Sequence, residues 1–293
     1  MDSVTQVIIG GIIGEQALGR HAGNQAILWG ALIGTFPDLD VFFSRWFDPV
    51  ENLFVHRGFS HSLMFSLILA LVLGVLLQAL YRKKKISYRQ WSLYSLGILL
   101  GAVIIDYLTT YGASIFWPFS DYRIEVSIMA IVDIFFTLPL LAGLIIILFM
   151  PYRSLKRRRI GKTLLIFGLS YLLLAGIHKF YQTRHFKQQL ESKGIEYTQI
   201  RTQPMPGSNF LWMGLAKGQE GYWLGYHSLF DRHPATFNFI PANHTLIEAY
   251  RGIRNLERLI EFTKGYYTIE NRDTSMILHD LRFGRLELTG GPG

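Results

Sequence analysis

The stretch Leu63–Leu80, which reads LMFSLILALVLGVLLQAL, decides the fold class of this chain. It contains a single glutamine and no charged residue. An apolar segment of about 18 residues is long enough to cross a bilayer as a helix. The stretch therefore predicts a membrane-spanning helix.

Other apolar segments on both sides extend this prediction to a whole bundle. Further spans are predicted at Trp91–Ile105, Ile128–Met150 and Thr163–Ile177. Two shorter segments, Val4–Leu18 and Ala22–Phe36, are rich in glycine. Small residues let helices approach closely in lipid, so these two segments predict a tightly packed pair. The expected fold class is mainly α, a polytopic helical membrane bundle with four clear spans and a Gly-rich N-terminal helix pair.

The composition supports a membrane domain followed by a different, smaller one. Of 293 residues, 50% are hydrophobic and 17% are charged, whereas a soluble domain carries about 25% charged residues. The apolar segments end near residue 180, and polar residues then alternate with aromatic ones. We predict a transmembrane helical domain at 1–180 and an extramembrane α+β domain at 181–293. The chain has no cysteine, which excludes disulfides and thiolate metal sites.

The pattern of the C-terminal domain predicts short strands around one helix. Alternating residues and a turn indicate a hairpin, and a 3.6-residue periodicity indicates a helix. The predicted strands are Phe210–Gly214, Gly221–Tyr226, Phe237–Ile240, Gly265–Glu270 and Met276–Leu286, and the predicted helix is Leu246–Lys264. The last two strands are expected to close a small sheet with the others.

The placement of the basic residues predicts how the bundle is oriented. The net charge is +8, and much of it lies in two connections, 81–90 and 151–162. Loops rich in lysine and arginine stay on the cytoplasmic side. Residues 37–62, residues 106–127 and the C-terminal domain would then lie on the non-cytoplasmic side of the cytoplasmic (inner) membrane. Membrane lipid is the expected partner, and nucleic-acid binding is not expected because the charge is not combined with base-stacking groups.

Two aspartates, Asp38 and Asp40, directly follow the second predicted helix. Carboxylates at i and i+2 on a turn can both point at one cation. Aspartates also cap helix ends, which is the structural alternative for this pair.

Two histidines, His56 and His61, precede the span at Leu63 in the run HRGFSHS. They could ligate one metal ion across a turn, with Gly58 permitting the bend. The alternative is a pair of interfacial histidines beside a serine that caps the helix.

Asp106 directly follows a predicted span. A carboxylate near the bilayer is energetically unfavourable, so we treat Asp106 as a candidate functional residue. Asp133 is predicted about two turns inside the next span, where Arg123 or Thr110 would be its structural partner. Arg57 could hold an anionic group such as a phosphate. Candidate catalytic residues are Arg57, Ser60 and Thr110.

The predicted topology brings five possible ligands to one side of the membrane: Asp38, Asp40, His56, His61 and Asp106. Mixed imidazole and carboxylate ligands suit zinc, with manganese and iron as alternatives. A divalent metal ion in such a site activates water for hydrolysis.

Several motifs resemble the YdjM-like family of membrane-bound metal-dependent hydrolases. They are GTFPDLDV from Gly34, HRGFSHSL from His56, DYLTTYG from Asp106, WPFSDYR from Trp117 and DLRFG from Asp280. The family is distantly similar to zinc-dependent phospholipases C and single-strand nucleases. The resemblance therefore implies a helical site, one or more divalent metals and phosphoester hydrolysis.

Two positions depart from the pattern of that family. It has histidine where this chain has Ala102, four residues before Asp106, and often where it has Gln6. Two functions stay open: a metal-dependent hydrolase, or a non-catalytic membrane protein with a degenerate site that acts through its outer C-terminal domain. A transporter is disfavoured because only Asp133 and Gln78 are polar residues deep within the spans.

Overall fold

The computed structural model describes residues 1–272 and 275–284. These residues form two compact units. The first is Met1–His178 with Pro206–Asn209, and the second is Lys179–Met205 with the residues from Phe210 onward. The first unit is helical and contains all the predicted site residues.

Consecutive helices build the first unit. They are α1 Ser3–Ala22, α2 Asn24–Thr35, α3 Pro49–Val55, α4 Leu63–Leu80, α5 Tyr88–Leu108, α6 Ile134–Leu148 and α7 Leu155–Ser192, whose end lies in the second unit. Short 3-10 segments at Phe36–Trp46, Phe59–His61 and Arg82–Lys84 join some of them. Among the described residues, four helical segments are long and apolar enough to cross a membrane: Asn24–Phe43, Leu63–Leu80, Tyr88–Leu108 and Leu155–Ser192. The predicted mainly α fold class is thereby confirmed.

The apolar stretch Ile128–Met150 differs from the prediction, because it is helical only from Ile134. Asp133 is the N-cap of α6, and its carboxylate accepts a hydrogen bond from the Phe136 amide at 3.2 Å. The Tyr171 hydroxyl also donates to it and lies 2.9 Å from both carboxylate oxygens. The predicted position two turns inside a span was wrong, and the sequence did not predict Tyr171 as a partner. Buried loop residues such as Met129 are as apolar as a span, so hydropathy could not locate the helix start.

Helices α1 and α2 form the tight pair that their glycines predict. A methyl group on Gly10 would collide with the carbonyl oxygen of Gly30, and one on Gly14 would collide with that of Ala26. The chain reverses between the two helices at Gly23, whose φ of +64° favours glycine. The close approach fixes α1 against α2 without an intervening side chain.

The end of α1 farther from the predicted site carries a buried ion pair between Glu15 and Arg157. The Arg157 Nε and Nη2 atoms donate to the two Glu15 carboxylate oxygens at 2.8 and 2.6 Å. Its Nη1 atom donates to the Asn24 side-chain oxygen and to the Met150 carbonyl, both at 2.8 Å. We call Glu15, Asn24 and Arg157 the Glu15–Arg157 cluster. It joins α1 and α2 to the first turn of α7.

The second unit contains an antiparallel four-stranded sheet in the order β1-β2-β3-β4. Its strands are β1 Gln199–Pro204, β2 Leu211–Lys217, β3 Gly221–Ser228 and β4 Phe237–Pro241, and a separate hairpin is formed by β5 Tyr267–Arg272 and β6 Ser275–Asp280. Met213, Leu215, Tyr222 and Leu224 contribute to its core.

Three details of the second unit differ from the prediction. β1 was not predicted, and β5 with β6 forms its own sheet instead of closing the first one. The predicted helix Leu246–Lys264 is a 3-10 segment at His244–Tyr250 followed by α8 at Arg254–Phe262. Gly252, with a φ of +88°, lies at the break and explains it. The last two residues of the predicted strand Met276–Leu286 lie outside the described residues.

Candidate metal centre

Three elements bring one side chain each to the same point. Asp38 lies in the 3-10 segment after α2, His61 in the 3-10 turn before α4, and Asp106 in the last turn of α5. Ser62 ends the turn by capping α4, since its hydroxyl accepts a hydrogen bond from the Phe65 amide at 3.1 Å. This cap fixes His61 at the mouth of α4, where an apolar span begins.

The spacing of these three side chains suits one shared cation. The His61 Nε2 atom lies 3.3 Å from Asp38 Oδ1 and 3.3 Å from Asp106 Oδ2. Ligand atoms bound to zinc at about 2.1 Å in a tetrahedron lie about 3.4 Å apart. One atom from each residue falls within 4.8 Å of the others. We call Asp38, His61 and Asp106 the metal-site cluster.

Two of the polar atoms that face each other in this cluster lack hydrogen-bond partners within the described residues. His61 Nε2 and Asp38 Oδ1 are both buried and unpartnered. A buried polar atom without a partner costs about 1–3 kcal/mol. A cation between the imidazole and the two carboxylates would satisfy all of them. The donor set therefore fits a divalent metal ion.

Hydrogen bonding sets the tautomer of His61. The Ser60 hydroxyl lies 2.5 Å from Asp40 Oδ2 and 3.0 Å from His61 Nδ1. A carboxylate only accepts, so the hydroxyl donates to Asp40 and accepts from the Nδ1–H of His61. The lone pair of Nε2 then points at Asp38 and Asp106. Burial lowers the pKa of His61 below its usual value, which favours the neutral imidazole that binds metals.

Asp40 and His56, which the sequence predicted as ligands, lie one layer outside the metal-site cluster. Besides Ser60, the Asp40 carboxylate accepts a hydrogen bond from the Arg57 amide at 2.9 Å. Its Oδ1 lies 2.8 Å from the His56 Nδ1 atom. Both Asp40 oxygens are thus engaged, and His56 is a partner of Asp40. Neither belongs to the group of three whose ligand atoms converge. Partners of this kind orient metal ligands.

Arg57 reaches into the same site with its guanidinium group. Its Nη2 atom donates to the Met1 carbonyl at 2.9 Å and lies 3.4 Å from Asp106 Oδ1. Its Nε atom is buried without a partner among the described residues. The residue has a φ of +57°, whereas Gly58 has an ordinary φ of −85°. Gly58 is required for a different reason, because a Cβ there would lie 2.5 Å from the Phe54 carbonyl oxygen.

The two hydroxyl residues assigned candidate catalytic roles occupy different places. Ser60 lies between Asp40 and His61, behind the metal-site cluster. Thr110 is buried beside Thr109. It is Thr109 whose hydroxyl lies 3.5 Å from Arg57 Nη1.

Sequence reasoning missed several residues around the site. The Gln6 amide donates to Asp106 Oδ2 at 2.7 Å, and the amino group of Met1 contacts Asp106 Oδ1. The guanidinium groups of Arg57 and Arg123 lie 5.1 and 4.8 Å from the centre of the Tyr111 ring. Gln6 stands at a histidine position of the resembled family, and Tyr111 and Arg123 lie in the DYLTTYG and WPFSDYR motifs, but none of these signals predicted a contact in the site.

Comparison with known proteins supports the resemblance seen in the sequence. The profile of the family described as "YdjM inner membrane protein" matches residues 1–185. Inner membrane protein YbcI of Escherichia coli (strain K12) is 32% identical to this chain over 96 residues. These residues are 32% of this chain and 54% of YbcI, so the chain spans about half the length of that relative. No solved structure matches the chain.

Proposed function

The chain belongs to the YdjM inner membrane protein family, and from this premise we propose that it is a metal-dependent hydrolase of the inner membrane. The observation that carries the proposal is the convergence of His61 Nε2 with Asp38 and Asp106 at 3.3 Å each. His61 Nε2 is buried and has no hydrogen-bond partner among the described residues, so its lone pair is available to a metal ion. The three residues would hold one divalent metal ion.

The ligand set favours zinc, with manganese and iron as alternatives, because it combines one imidazole with two carboxylates. Three protein ligands leave a coordination position open for water, as in catalytic zinc sites. A bound divalent ion would lower the pKa of a water molecule bound to it and would stabilise the negative charge that develops in the transition state. Asp40 and Ser60 orient the His61 ring.

The proposed substrate is a phosphoester, carried by a lipid or by another molecule at the membrane surface. Arg57 supports this class, since a guanidinium group recognises phosphate oxygens and its Nε atom has no partner within the described chain. In hydrolysis, water attacks phosphorus, the bond from phosphorus to the leaving oxygen breaks, and the leaving oxygen takes up a proton. Arg57 would orient the phosphate for that attack.

We place the site and the C-terminal unit on the non-cytoplasmic side of the membrane. The helix α4 begins beside His61 and ends before the basic segment Arg82–Lys84. The helix α5 starts beyond that segment and ends near Asp106. Basic loops stay in the cytoplasm, so the opposite helix ends would face outward. A reporter fused to the C-terminus tests this, and a cytoplasmic signal would contradict it.

Metal analysis and a turnover assay on the purified full-length protein test the hydrolase proposal. We expect about one divalent ion per chain for a single site, and metal-dependent release of phosphate or alcohol from phosphoester substrates. Asp38→Ala should lose both the metal and turnover. Asp48→Ala is the matched control, because Asp48 is an exposed helix cap. A wild-type protein that carries no divalent metal after zinc loading would overturn the proposal.

A second function, a non-catalytic membrane protein with a degenerate site, is favoured by two observations. Ala102 is buried one turn before Asp106 on α5, and Gln6 donates to the Asp106 oxygen that faces His61. Alanine cannot ligate, and the glutamine competes for a ligand atom. This protein would act through its C-terminal unit. Stoichiometric metal without turnover on any phosphoester tested would select this function over the hydrolase.

A further inference from the structure

Helices α1, α5, α6 and α7 line a cavity of about 190 Å³ that is open on one side. Its lining contains only isoleucine, leucine, phenylalanine and glycine residues. An apolar cavity of about 150 Å³ in a protein stays dry and accepts small hydrocarbon ligands. The cavity is therefore large enough for a short run of methylene groups. We call it the lateral crevice.

The lateral crevice opens on the face of the helices that would contact lipid. Ile104 of α5 and Leu169 of α7 line it with 52% and 68% of their surface exposed, whereas Phe136 and Ile105 line it from the buried side. Ile104 and Leu169 both lie in segments apolar enough to cross a membrane. The surroundings of the opening are then hydrocarbon, since water is absent from the bilayer core.

Glycine provides the space for the crevice. A Cβ at Gly168 would meet only Phe136, at 3.8 and 4.0 Å, which is ordinary contact. A larger side chain at this position would extend into the cavity that Gly168 lines. Gly176 lies two turns further along the same helix, and a Cβ there would meet nothing within 4 Å. The two glycines therefore form a matched pair for substitution.

The crevice begins beside the metal-site cluster. Ile105 lines it and directly precedes Asp106. Gly101, also in its lining, is five residues from Asp106, which corresponds to about 7.5 Å along a helix. On α1, Ile9 lines the crevice one turn after Gln6, whose amide contacts Asp106. A molecule with a polar group at the site and a hydrocarbon chain could contact both.

We propose that the lateral crevice binds one acyl chain of a membrane phospholipid while the phosphate of that lipid lies at the metal-site cluster. The acyl chain is the occupant because the opening faces hydrocarbon and the lining has no polar side chain. The part that concerns the phosphate rests on the proposed function and narrows its substrate class to phospholipids. Binding of the chain in the crevice does not depend on catalysis.

Photo-crosslinking in lipid nanodiscs tests the proposal with the full-length protein. The probe is phosphatidylglycerol with a diazirine in the middle of one acyl chain, diluted into unlabelled phosphatidylglycerol. Labelled peptides are identified by mass spectrometry in the wild type and in Gly168→Ala, Gly168→Leu and Gly176→Leu. Metal content is measured on every sample, so that the site and the crevice are assessed separately.

We expect labelling concentrated on the crevice peptides that contain Ile104 and Leu169. Gly168→Leu should lower it about tenfold, the factor that corresponds to about two buried methylene groups, and Gly176→Leu should leave it unchanged. Gly168→Ala should decrease the crevice labelling by a smaller factor. This variant tests the proposal if Gly168→Leu does not fold. Equal labelling of the exposed face of α4, or equal effects of the two leucine variants, would overturn the proposal.

The metal measurements separate this proposal from the proposed function. Crevice labelling in a protein that binds no metal would refute the hydrolase and support the acyl-chain site. Bound metal without crevice labelling would support the metal centre and overturn the acyl-chain site. If Gly168→Leu retains the metal and loses the labelling, the result would support both the metal centre and the acyl-chain site.

Discussion

Two buried charged clusters lie along α1, and they differ in how completely their polar atoms are paired. Near the start of the helix, the metal-site cluster contains His61 Nε2 and Asp38 Oδ1, both without partners in the described chain. Farther along, every guanidinium nitrogen of Arg157 donates to Glu15, Asn24 or a backbone carbonyl. The atoms compared are buried in both clusters, so contact with solvent does not explain the difference.

This difference distinguishes a cluster that is paired by protein groups alone from one that we propose binds a metal ion. Burial of a charge is unfavourable unless it is paired and hydrogen-bonded. The Glu15–Arg157 cluster meets that condition with protein groups alone. In the metal-site cluster, protein groups contact Asp106 but leave His61 Nε2 and Asp38 Oδ1 without hydrogen-bond partners in the described chain. An added cation would pair both atoms. Substitutions in the two clusters should therefore affect different properties.

Arg157→Ala should have the largest effect, and on stability alone. It leaves the Glu15 carboxylate buried without its counter-ion, which lowers the free energy of unfolding by about 3–5 kcal/mol. Denaturant titration in detergent measures this, and the exposed neighbour Arg158→Ala is the control. A decrease in the free energy of unfolding below about 1 kcal/mol, as for an exposed ion pair, would contradict this prediction. Loss of metal from folded Arg157→Ala protein would also contradict it.

His61→Ala should have the complementary effect. It removes the only imidazole of the metal-site cluster, so the affinity for zinc should fall by more than about 100-fold, beyond the range for outer residues. Zinc competition with a chromophoric chelator measures the affinity. His21→Ala, an exposed residue at the end of α1, is the control. Equal zinc affinity in the two variants would contradict the assignment of His61 as a ligand.

Ser60→Ala should have an intermediate effect on the metal and a small one on the fold. It removes the hydroxyl that fixes the Nδ1–H of His61, and loss of such a partner lowers metal affinity about 10–100-fold. The same chelator competition measures it. Ser66→Ala is the control, because Ser66 is also buried but donates to the Ser62 carbonyl. An unchanged affinity would show that Ser60 does not orient the ligand.

His56→Ala should have the smallest effect, although the sequence ranks His56 as a ligand equal to His61. The His56 side chain is 30% exposed and contacts Asp40 instead of the convergent atoms. We expect zinc affinity to fall less than about tenfold, below the range for a direct outer partner. A decrease as large as that of His61→Ala would restore His56 to the ligand set.

The sequence identified the helices and the site region because both have strong local signals. An uncharged run such as Leu63–Leu80 indicates a span by length and composition alone. The HRGFSHS run and the carboxylates Asp38 and Asp106 are unusual at the ends of such spans. Sequence could not separate Asp38 from Asp40, since both are carboxylates on one turn. Only the turn geometry directs one to His61 Nε2 and the other to Ser60.

The features that sequence missed depend on distant contacts. β1, at Gln199–Pro204, lacks an alternating apolar pattern and is specified by its pairing with β2. The pairing of Glu15 with Arg157 joins residues 142 positions apart. Asp133 lies in a continuous apolar stretch, where only its hydrogen bond to the Phe136 amide shows that a helix begins. Such contacts have no local signature.

At Arg57, the left-handed backbone conformation is unfavourable for a residue with a side chain, whereas the contacts of the side chain are favourable. An L-amino acid with a side chain adopts a φ of +57° at a cost of about 1 kcal/mol or more, which glycine would avoid. The next residue is a glycine, so the turn does not lack small residues. The contacts of the Arg57 guanidinium group with Met1, Asp106 and Tyr111 thus outweigh the local strain. Glycine at residue 57 would relax the backbone and lose all of these contacts.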